Sequence, residues 1–278
     1  MSAVLKRNKI AVFSIVIIVF FFFVAVFAKW VSPFSFEDPT GIALAKPFTG
    51  KHLMGTDFLE RDVLSRLVYG AQMSMAVGLI TALFSLVFGT LFGAISGYVG
   101  GRTDTIMMRI VDIFYTFPSI VLAVLIIVMM GRGVMAIVLA LVITGWADVS
   151  RVVRGQVLQL KEEVYVQAAK ALGVSHFPII FKHIVPNLMG ILIVTLTFQV
   201  PNAILGESFL SFIGLGPPPP FASWGTLAHD AWKSGAMRQV QYSYLILFPS
   251  IAIFLSMLSF NIFGDSLRDY LDPKLKSR

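Results

Sequence analysis

The chain has 278 residues, 57% of them hydrophobic and only 13% charged, with a mean hydropathy of +0.83. Soluble domains carry about 25% charged residues, so a single water-soluble core with a polar skin is excluded. The net charge of +7 comes from basic residues scattered among the loops rather than gathered with aromatics on one face, which argues against nucleic acid as a partner.

In hydrocarbon only helices and closed barrels satisfy every backbone group. Barrel strands alternate, whereas runs such as 12–28 are continuously apolar. The expected class is an all-α integral membrane protein. With no cysteine, neither a disulfide framework nor a thiolate metal site is available.

A span needs roughly 20 apolar residues, and six stretches meet or approach that: 10–28, 76–99, 113–130, 134–146, 188–215 and 244–263. The first follows Lys6-Arg7, yet it is span-length and lacks a small-residue cleavage site, so it reads as a retained span and not a signal peptide. Lys and Arg are in excess on one side of this topology, among them Arg102, Arg109, Arg151, Arg154, Lys161, Lys170 and Lys182. That excess places both chain ends, residues 1–9 and 266–278, in the cytoplasm.

Between the first two spans, residues 30–75 form an external segment. There Phe58, Val63, Leu64, Leu67 and Val68 alternate with Glu60, Arg61, Asp62 and Arg66, a spacing that predicts an amphipathic helix on the outer surface. It serves either as an interfacial anchor or as a binding surface. The second span carries Ser85, Gly89, Gly93, Gly97 and Gly101 at strict four-residue spacing. Such a row lets another helix come close, in this subunit or a partner.

Arg109 and Asp112 stand one turn apart near the start of the third span, ahead of Phe117-Pro118, and Asp148 and Arg151 repeat the pattern at the end of the fourth. Both pairs read as structural ion pairs near the membrane edge in preference to transport-ion sites. In the fifth span Pro201 and Gly206 allow a bend, and Glu207 is the one carboxylate well inside a span. Two readings stand for it: a translocation-path residue together with Ser211, or a structural residue satisfied by Ser208, Ser211 and water. Residues 217–220 then make a polyproline exit toward Ser223-Trp224-Gly225 and an external loop that meets a partner or shields a pore.

No Gly-Lys-Ser/Thr phosphate loop occurs, and His52, His176, His183 and His229 are too far apart for a metal site. No nucleophile constellation can be argued, so no catalytic role is expected. What remains is the polar loop 151–187. Good helix formers over 161–172 place Val164, Ala168 and Leu172 on one face, and Gly173 supplies the residue that ends a helix. Ser175 caps an expected second short helix over 177–184, before Pro186 opens the fifth span. Ala168 and Ala169 offer a small-residue surface to a partner's groove, unless the helix merely lies among lipid headgroups.

Gln167-Ala168-Ala169, then Gly173, then Pro186 resembles the signature loop of ABC-transporter permease subunits, in which that helix couples to a separate ATPase. The resemblance covers nearly the whole chain and is nearest to the second permease subunit of the dipeptide/oligopeptide/nickel importers. Gly55-Thr56-Asp57 with Arg61-Asp62 and Ser65-Arg66, Met108-Arg109 with Asp112 and Phe117-Pro118, Leu210 to Gly216 with Ser223-Trp224-Gly225, and Asn261, Gly264-Asp265, Leu267-Arg268-Asp269 and Leu271-Asp272-Pro273 are similar to its other blocks. Three positions depart: Gln167 stands where the family usually has an acidic residue, Glu60 where it has Gly, and Gln72 where it often has Arg.

The resemblance implies a six-span, type I ABC importer permease fold with a cytoplasmic coupling helix, in which residues 76–265 form the transmembrane core. It implies pairing with a homologous permease subunit, two ATP-binding subunits that hold the ATP and Mg²⁺, and an extracytoplasmic solute-binding protein, in a bacterial or archaeal cell membrane. Gln167, Ala168, Ala169, Leu172, Gly173 and Pro186 would carry the coupling. The solute would be a di- or oligopeptide, with a nickel chelate or other small solute as the alternative. An ion-coupled secondary transporter is the rival from another class, and it would lean on Glu207.

Overall fold

The computed structural model describes residues 9–235 and 238–271. Ten helices carry the fold among the described residues: α1 Lys9–Val26, α2 Ala28–Val31, α3 Val63–Val99, α4 Gly101–Thr116, α5 Ser119–Met130, α6 Val134–Leu160, α7 Val164–Ala171, α8 His176–Leu215, α9 Trp224–Lys233 and α10 Tyr244–Leu271. Five of them, α1, α3, α6, α8 and α10, are long and apolar enough to cross a membrane, and α4 with α5 makes a sixth crossing when the pair, bent by 85°, is taken as one span. Pro118 explains the break, since a residue before proline is driven out of the helical region and Phe117 sits at φ −93°, ψ 136°. Lys6, Arg7, Asp272, Pro273, Lys274, Lys276 and Arg278 lie outside the described residues. Residues 266–271, expected in a tail, belong instead to the last turns of α10.

No separate amphipathic helix precedes the second span. The expected surface helix is absorbed into α3, whose 37 residues reach about 55 Å and begin at the Asp62 N-cap, which accepts from the Ser65 N–H at 2.8 Å. Most of the polar side of that periodicity faces inward: Arg61, Asp62 and Arg66 are buried, as is the neighbouring Asp57, while Glu60 is half-buried. The buried residues turn away from water because Asp57, Arg61 and Arg66 pair with one another and with Asp230 on α9, while Asp62 is engaged by His52 and Ser65.

α3 and α6 run parallel and in close contact. A Cβ on Gly89 would lie 2.5 Å from Val149 Cβ, one on Gly97 3.0 Å from the Arg154 carbonyl oxygen, and one on Gly93 would collide with the Ser150 carbonyl. Ser85 continues the row against Gly145. Gly101 does not belong to it: α3 stops at Val99, Gly101 has φ +56°, and nothing lies within 4 Å of its missing Cβ. α6 is also twice as long as the expected fourth span, because its polar second half is sheltered by α3 and α4 and lowers the hydropathy without leaving the bundle.

α8 corrects the loop reading. The expected second short helix and the fifth span form one helical run of 40 residues. Pro186 has no N–H to give, so the backbone widens into a π-turn over Ile179–Ile184 and tightens into a 3₁₀ turn over Val185–Leu188. The Asn187 side-chain amide donates to the His183 carbonyl at 2.5 Å. Ser175 takes the N-cap position without a side-chain bond.

Two of the apolar clusters among the described residues bear on the site. One joins Phe21 and Val24 of α1, Met75 of α3, Ile204 of α8, Phe260 of α10 and the fully buried Trp224 at the start of α9. The other lies at the opposite end and packs Val157 of α6 and Ile179, Ile180 and Ile184 of α8 under α7.

Candidate functional site

α7 is a short helix held at three points. Its inner face seats Val166 and Ala169 in the apolar cluster beneath it, Ala169 at 8% exposure. Its C-terminus closes with both bonds of a Schellman motif: the Val174 N–H donates to the Ala169 carbonyl at 3.1 Å and the Gly173 N–H to the Lys170 carbonyl at 3.0 Å. Gly173 takes φ +78°, a conformation that glycine adopts without strain. At the other end the Gln167 Nε2 donates to the Lys161 carbonyl at 2.9 Å and lies 3.4 Å from Glu162 Oε2. The loop is further fixed to the end of α3, where the Tyr98 hydroxyl lies 3.4 Å from His176 Nδ1 and Lys170 Nζ stands 5.2 Å from the Tyr98 ring centre.

The outer face is apolar and open. Val164 and Leu172 are 83% and 84% exposed, Phe177 projects beside Phe181, and Ala168 is exposed too. The alanine pair is therefore divided: Ala168 faces outward, while Ala169 is part of the subunit's own core. Partial burial, aided by Glu163, pushes the Tyr165 phenol above its ordinary value, so it is a neutral hydroxyl at this surface. Pro186 is exposed at the base of α8 and supports the loop through the turn described above.

Above α7 the ion pairs rearrange relative to the expected ones. Arg151 Nη2 reaches Asp112 Oδ1 of α4 at 2.6 Å, while Arg109 is 3.8 Å from Asp112 and mostly exposed. Asp148 is engaged by the Tyr115 hydroxyl, and the Arg151 guanidinium lies 3.7 Å from the Tyr115 ring centre. The expected Arg109–Asp112 pair along α4 is thus present but long, while the contacts of Arg151 and Asp148 cross between α4 and α6. Below them Arg154 makes a two-pronged pair with Asp104 at 2.6 and 2.5 Å, and the Ser96 hydroxyl donates to the same carboxylate. The sequence reading missed this clip because Asp104 and Arg154 are 50 residues apart.

Midway along the bundle a cleft of about 250 Å³ is lined by Thr81 and Ser85 of α3, Thr144 and Asp148 of α6, and Gln199 and Asn202 of α8. The Thr81 and Ser85 hydroxyls are buried without a hydrogen-bond partner among the described residues. Sequence reasoning missed Gln199 and Asn202, although their three-residue spacing, continued to Gly206, put all three on one face of α8. Glu207 is not in this cleft. It is 0% exposed and accepts hydrogen bonds from Ser211 at 2.7 Å, Ser74 at 3.1 Å and Ser208 at 3.4 Å.

Ser74 also accepts from the Trp224 N–H, and the Trp224 indole donates to the Leu67 carbonyl, each at 3.2 Å. The expected external loop thus begins as a wedge: α9 opens with a Ser223/Thr226 capping box and drives Trp224 between α3 and α8. A Cβ on Gly225 would lie 2.5 Å from the Ser208 carbonyl oxygen, so glycine is required there. Beside this wedge Arg66 pairs with Asp57 at 2.8 Å and with Asp230 at 3.2 Å, and Arg61 pairs with Asp57 at 2.8 Å. Among the described residues no group of His, Cys, Asp and Glu is arranged to hold a metal ion.

Residues 89–277 match the family described as binding-protein-dependent transport system inner membrane component, and residues 3–47 match the N-terminal transmembrane domain of oligopeptide transport permease C. The chain is 44% identical over 271 residues to the oligopeptide transport system permease protein OppC of Bacillus subtilis (strain 168), covering 98% of this chain and 88% of that protein. It is 44% identical over 272 residues to the dipeptide transport system permease protein DppC of the same organism, covering 98% and 84%. Against the oligopeptide permease OppC of Escherichia coli (strain K12) the identity is 40% over 270 residues, covering 96% and 88%. Among solved structures, a chain of the inward-facing MetNI methionine ABC transporter superposes with a TM-score of 0.61 at 18% identity, covering 75% of this chain and 97% of that one.

Proposed function

The chain belongs to the family of binding-protein-dependent transport system inner membrane components, and from that premise we propose that it is the permease subunit of an ATP-driven importer of di- and oligopeptides. The observation that carries the solute class is identity of 40–44% along almost the whole chain to oligopeptide and dipeptide permeases. In this reading a homologous permease completes the path, two ATP-binding subunits sit beneath α7, and a solute-binding protein docks at the α9 end. The α7 end is then cytoplasmic and the α9 end external, in a cell membrane.

The geometry of α7 supports a lever. Val166 and Ala169 fasten it to α6 and α8, while Val164, Ala168 and Leu172 offer an apolar face for a groove on the ATP-binding subunit. Closure of those subunits moves α7 and, through the shared cluster, the lower ends of α6 and α8. The cleft is this subunit's share of the path: its hydroxyls and the Gln199 and Asn202 amides pair with the peptide backbone, which every substrate has, and leave its side chains unread. ATP and Mg²⁺ belong to the partner subunits. Glu207 serves as a buried post that joins α3, α8 and the α9 wedge.

Proteoliposomes holding the assembled complex, with its binding protein and ATP, test the reading by uptake of a labelled tripeptide. Uptake that requires ATP and the binding protein is the expected result. Uptake by this chain alone, driven by a proton gradient, would overturn it in favour of secondary transport.

A further inference from the structure

A second, smaller cavity of about 60 Å³ lies at the α9 end, apart from the cleft, and its walls include Arg61, Arg66, Arg132, Ser211, His229 and Asp230. The charges in and around it do not balance. Arg61 and Arg66 pair with Asp57 and Asp230, whereas Arg132 on the same wall has no ion-pair partner among the described residues, so one guanidinium charge is left over. Glu207, one layer deeper, gives its oxygens to serines and none to these arginines.

A donor is left over as well. Arg66 is 3% exposed, and its Nε has no hydrogen-bond acceptor among the described residues. Buried guanidinium N–H groups without acceptors are costly, and a bound anion removes that cost. Arg132, on the link between α5 and α6, is exposed, and its Nε bond of 3.3 Å to the Gly216 carbonyl commits one of its nitrogens. His229 is fixed by its Nδ1, 2.7 Å from the Phe212 carbonyl oxygen.

We propose that this cavity is a carboxylate site that receives the C-terminal carboxylate of a peptide at the external mouth of the permease. One surplus charge matches a monoanion, and the Asp230 oxygen in the wall disfavours a dianion. The volume takes a carboxylate group and little more, with Pro217, Pro219 and Pro220 walling off bulkier groups. A terminal carboxylate is the one anionic group that peptides of any sequence share, and guanidinium forks suit its planar shape. The inference rests on the reading of the chain as a peptide permease.

The test uses the assembled complex in lipid nanodiscs without its binding protein, and saturation-transfer NMR titrations with N-acetyl-trialanine and its C-terminal amide. These probes differ by one negative charge. The acid is expected to bind about tenfold or more tighter than the amide, and Arg132→Gln to weaken the acid by about tenfold while leaving the amide unchanged. Arg132→Lys, which keeps the charge, restores part of the loss. Thermal stability of each variant is measured alongside, to separate loss of the carboxylate contact from loss of the Arg132 bond to the Gly216 carbonyl.

Equal binding of acid and amide, or an acid affinity unmoved by Arg132→Gln, means that the cavity holds water only and overturns the proposal. If Arg132→Gln instead weakens association with the peptide-free binding protein and leaves the acid unaffected, the pocket takes a carboxylate of the docking protein, and the proposal falls in that case too. Normal tripeptide uptake in proteoliposomes alongside either result leaves the importer reading standing. Loss of tripeptide uptake by the wild-type complex would remove that reading itself.

Discussion

The side-chain amide of Gln167 donates to the main-chain carbonyl of Lys161 across 2.9 Å, and so joins the first turns of α7 to the end of α6. A glutamate at this position has no hydrogen to donate, and it would stand beside Glu162 and a free carbonyl at a helix C-terminus, both of which repel it. The uncharged residue thus has a structural use independent of any charge on a partner. Gln167→Glu is expected to cost about 1 kcal/mol of local stability, seen as faster amide exchange over 164–171. It is also expected to lower peptide-stimulated ATP hydrolysis of the complex severalfold with assembly intact. Unchanged exchange in α7 would sink the idea that the amide holds the helix.

Ala168 and Ala169 are adjacent, yet they face in opposite directions, and their variants should separate. Ala169→Leu forces extra volume into the Val166–Ile179–Ile184 cluster and is expected to destabilise the purified chain by about 1–3 kcal/mol. Ala168→Trp points outward and should leave the melting temperature within error while uncoupling ATP hydrolysis from transport. Denaturation in detergent and stimulated ATPase activity, measured on both variants, check the division.

The glycine row makes a prediction about packing. Gly93→Ala sets a methyl group against the Ser150 carbonyl and Val153, so it is expected to destabilise by about 1–3 kcal/mol even though alanine is the better helix former. Gly155, inside α6 with open space around its missing Cβ, is the control. There Gly→Ala should stabilise by about 0.5–1 kcal/mol. Thermal unfolding of the two variants in the same detergent decides whether α3 and α6 touch where the row says they do.

Much of this was legible in the sequence because helical periodicity is local. The row from Ser85 to Gly97, the α7 helix and its Gly173 stop, and the Phe117-Pro118 break all depend on neighbours within a few residues. What was not legible depended on distant partners. The spacing of Arg61 and Arg66 announces a polar face, but only Asp230, 164 residues beyond Arg66, decides that the face is buried. The same holds for Asp112, which pairs with Arg151 of another helix in preference to its own neighbour, and for the polar half of α6, whose low hydropathy hides a helix covered by its own bundle. The alternation of Ala168 and Ala169 belongs to the same class, since composition cannot say which of two small residues faces home.

Glu207 brings these arguments to one side chain. A carboxylate deep in a span is a candidate for solute or ion passage, but this one is closed off from the polar cleft and surrounded by the hydroxyls of Ser74, Ser208 and Ser211, with Ser74 also accepting from the Trp224 N–H. Serine hydroxyls rotate, so a glutamine of the same size can be accommodated by one of them turning to accept. Glu207→Gln is therefore expected to retain most peptide uptake and to lose no more than about 1–2 kcal/mol of stability. Glu207→Ala removes the shared acceptor, strands hydroxyls in an apolar layer and leaves a cavity, and is expected to lose about 3–5 kcal/mol and to loosen α9 from the bundle. Uptake assays and unfolding measured together distinguish the two roles. Transport abolished in a Glu207→Gln complex that remains as stable as the wild type would mean that the carboxylate acts on the solute, and the post between α3, α8 and α9 would have to be assigned to Trp224 alone.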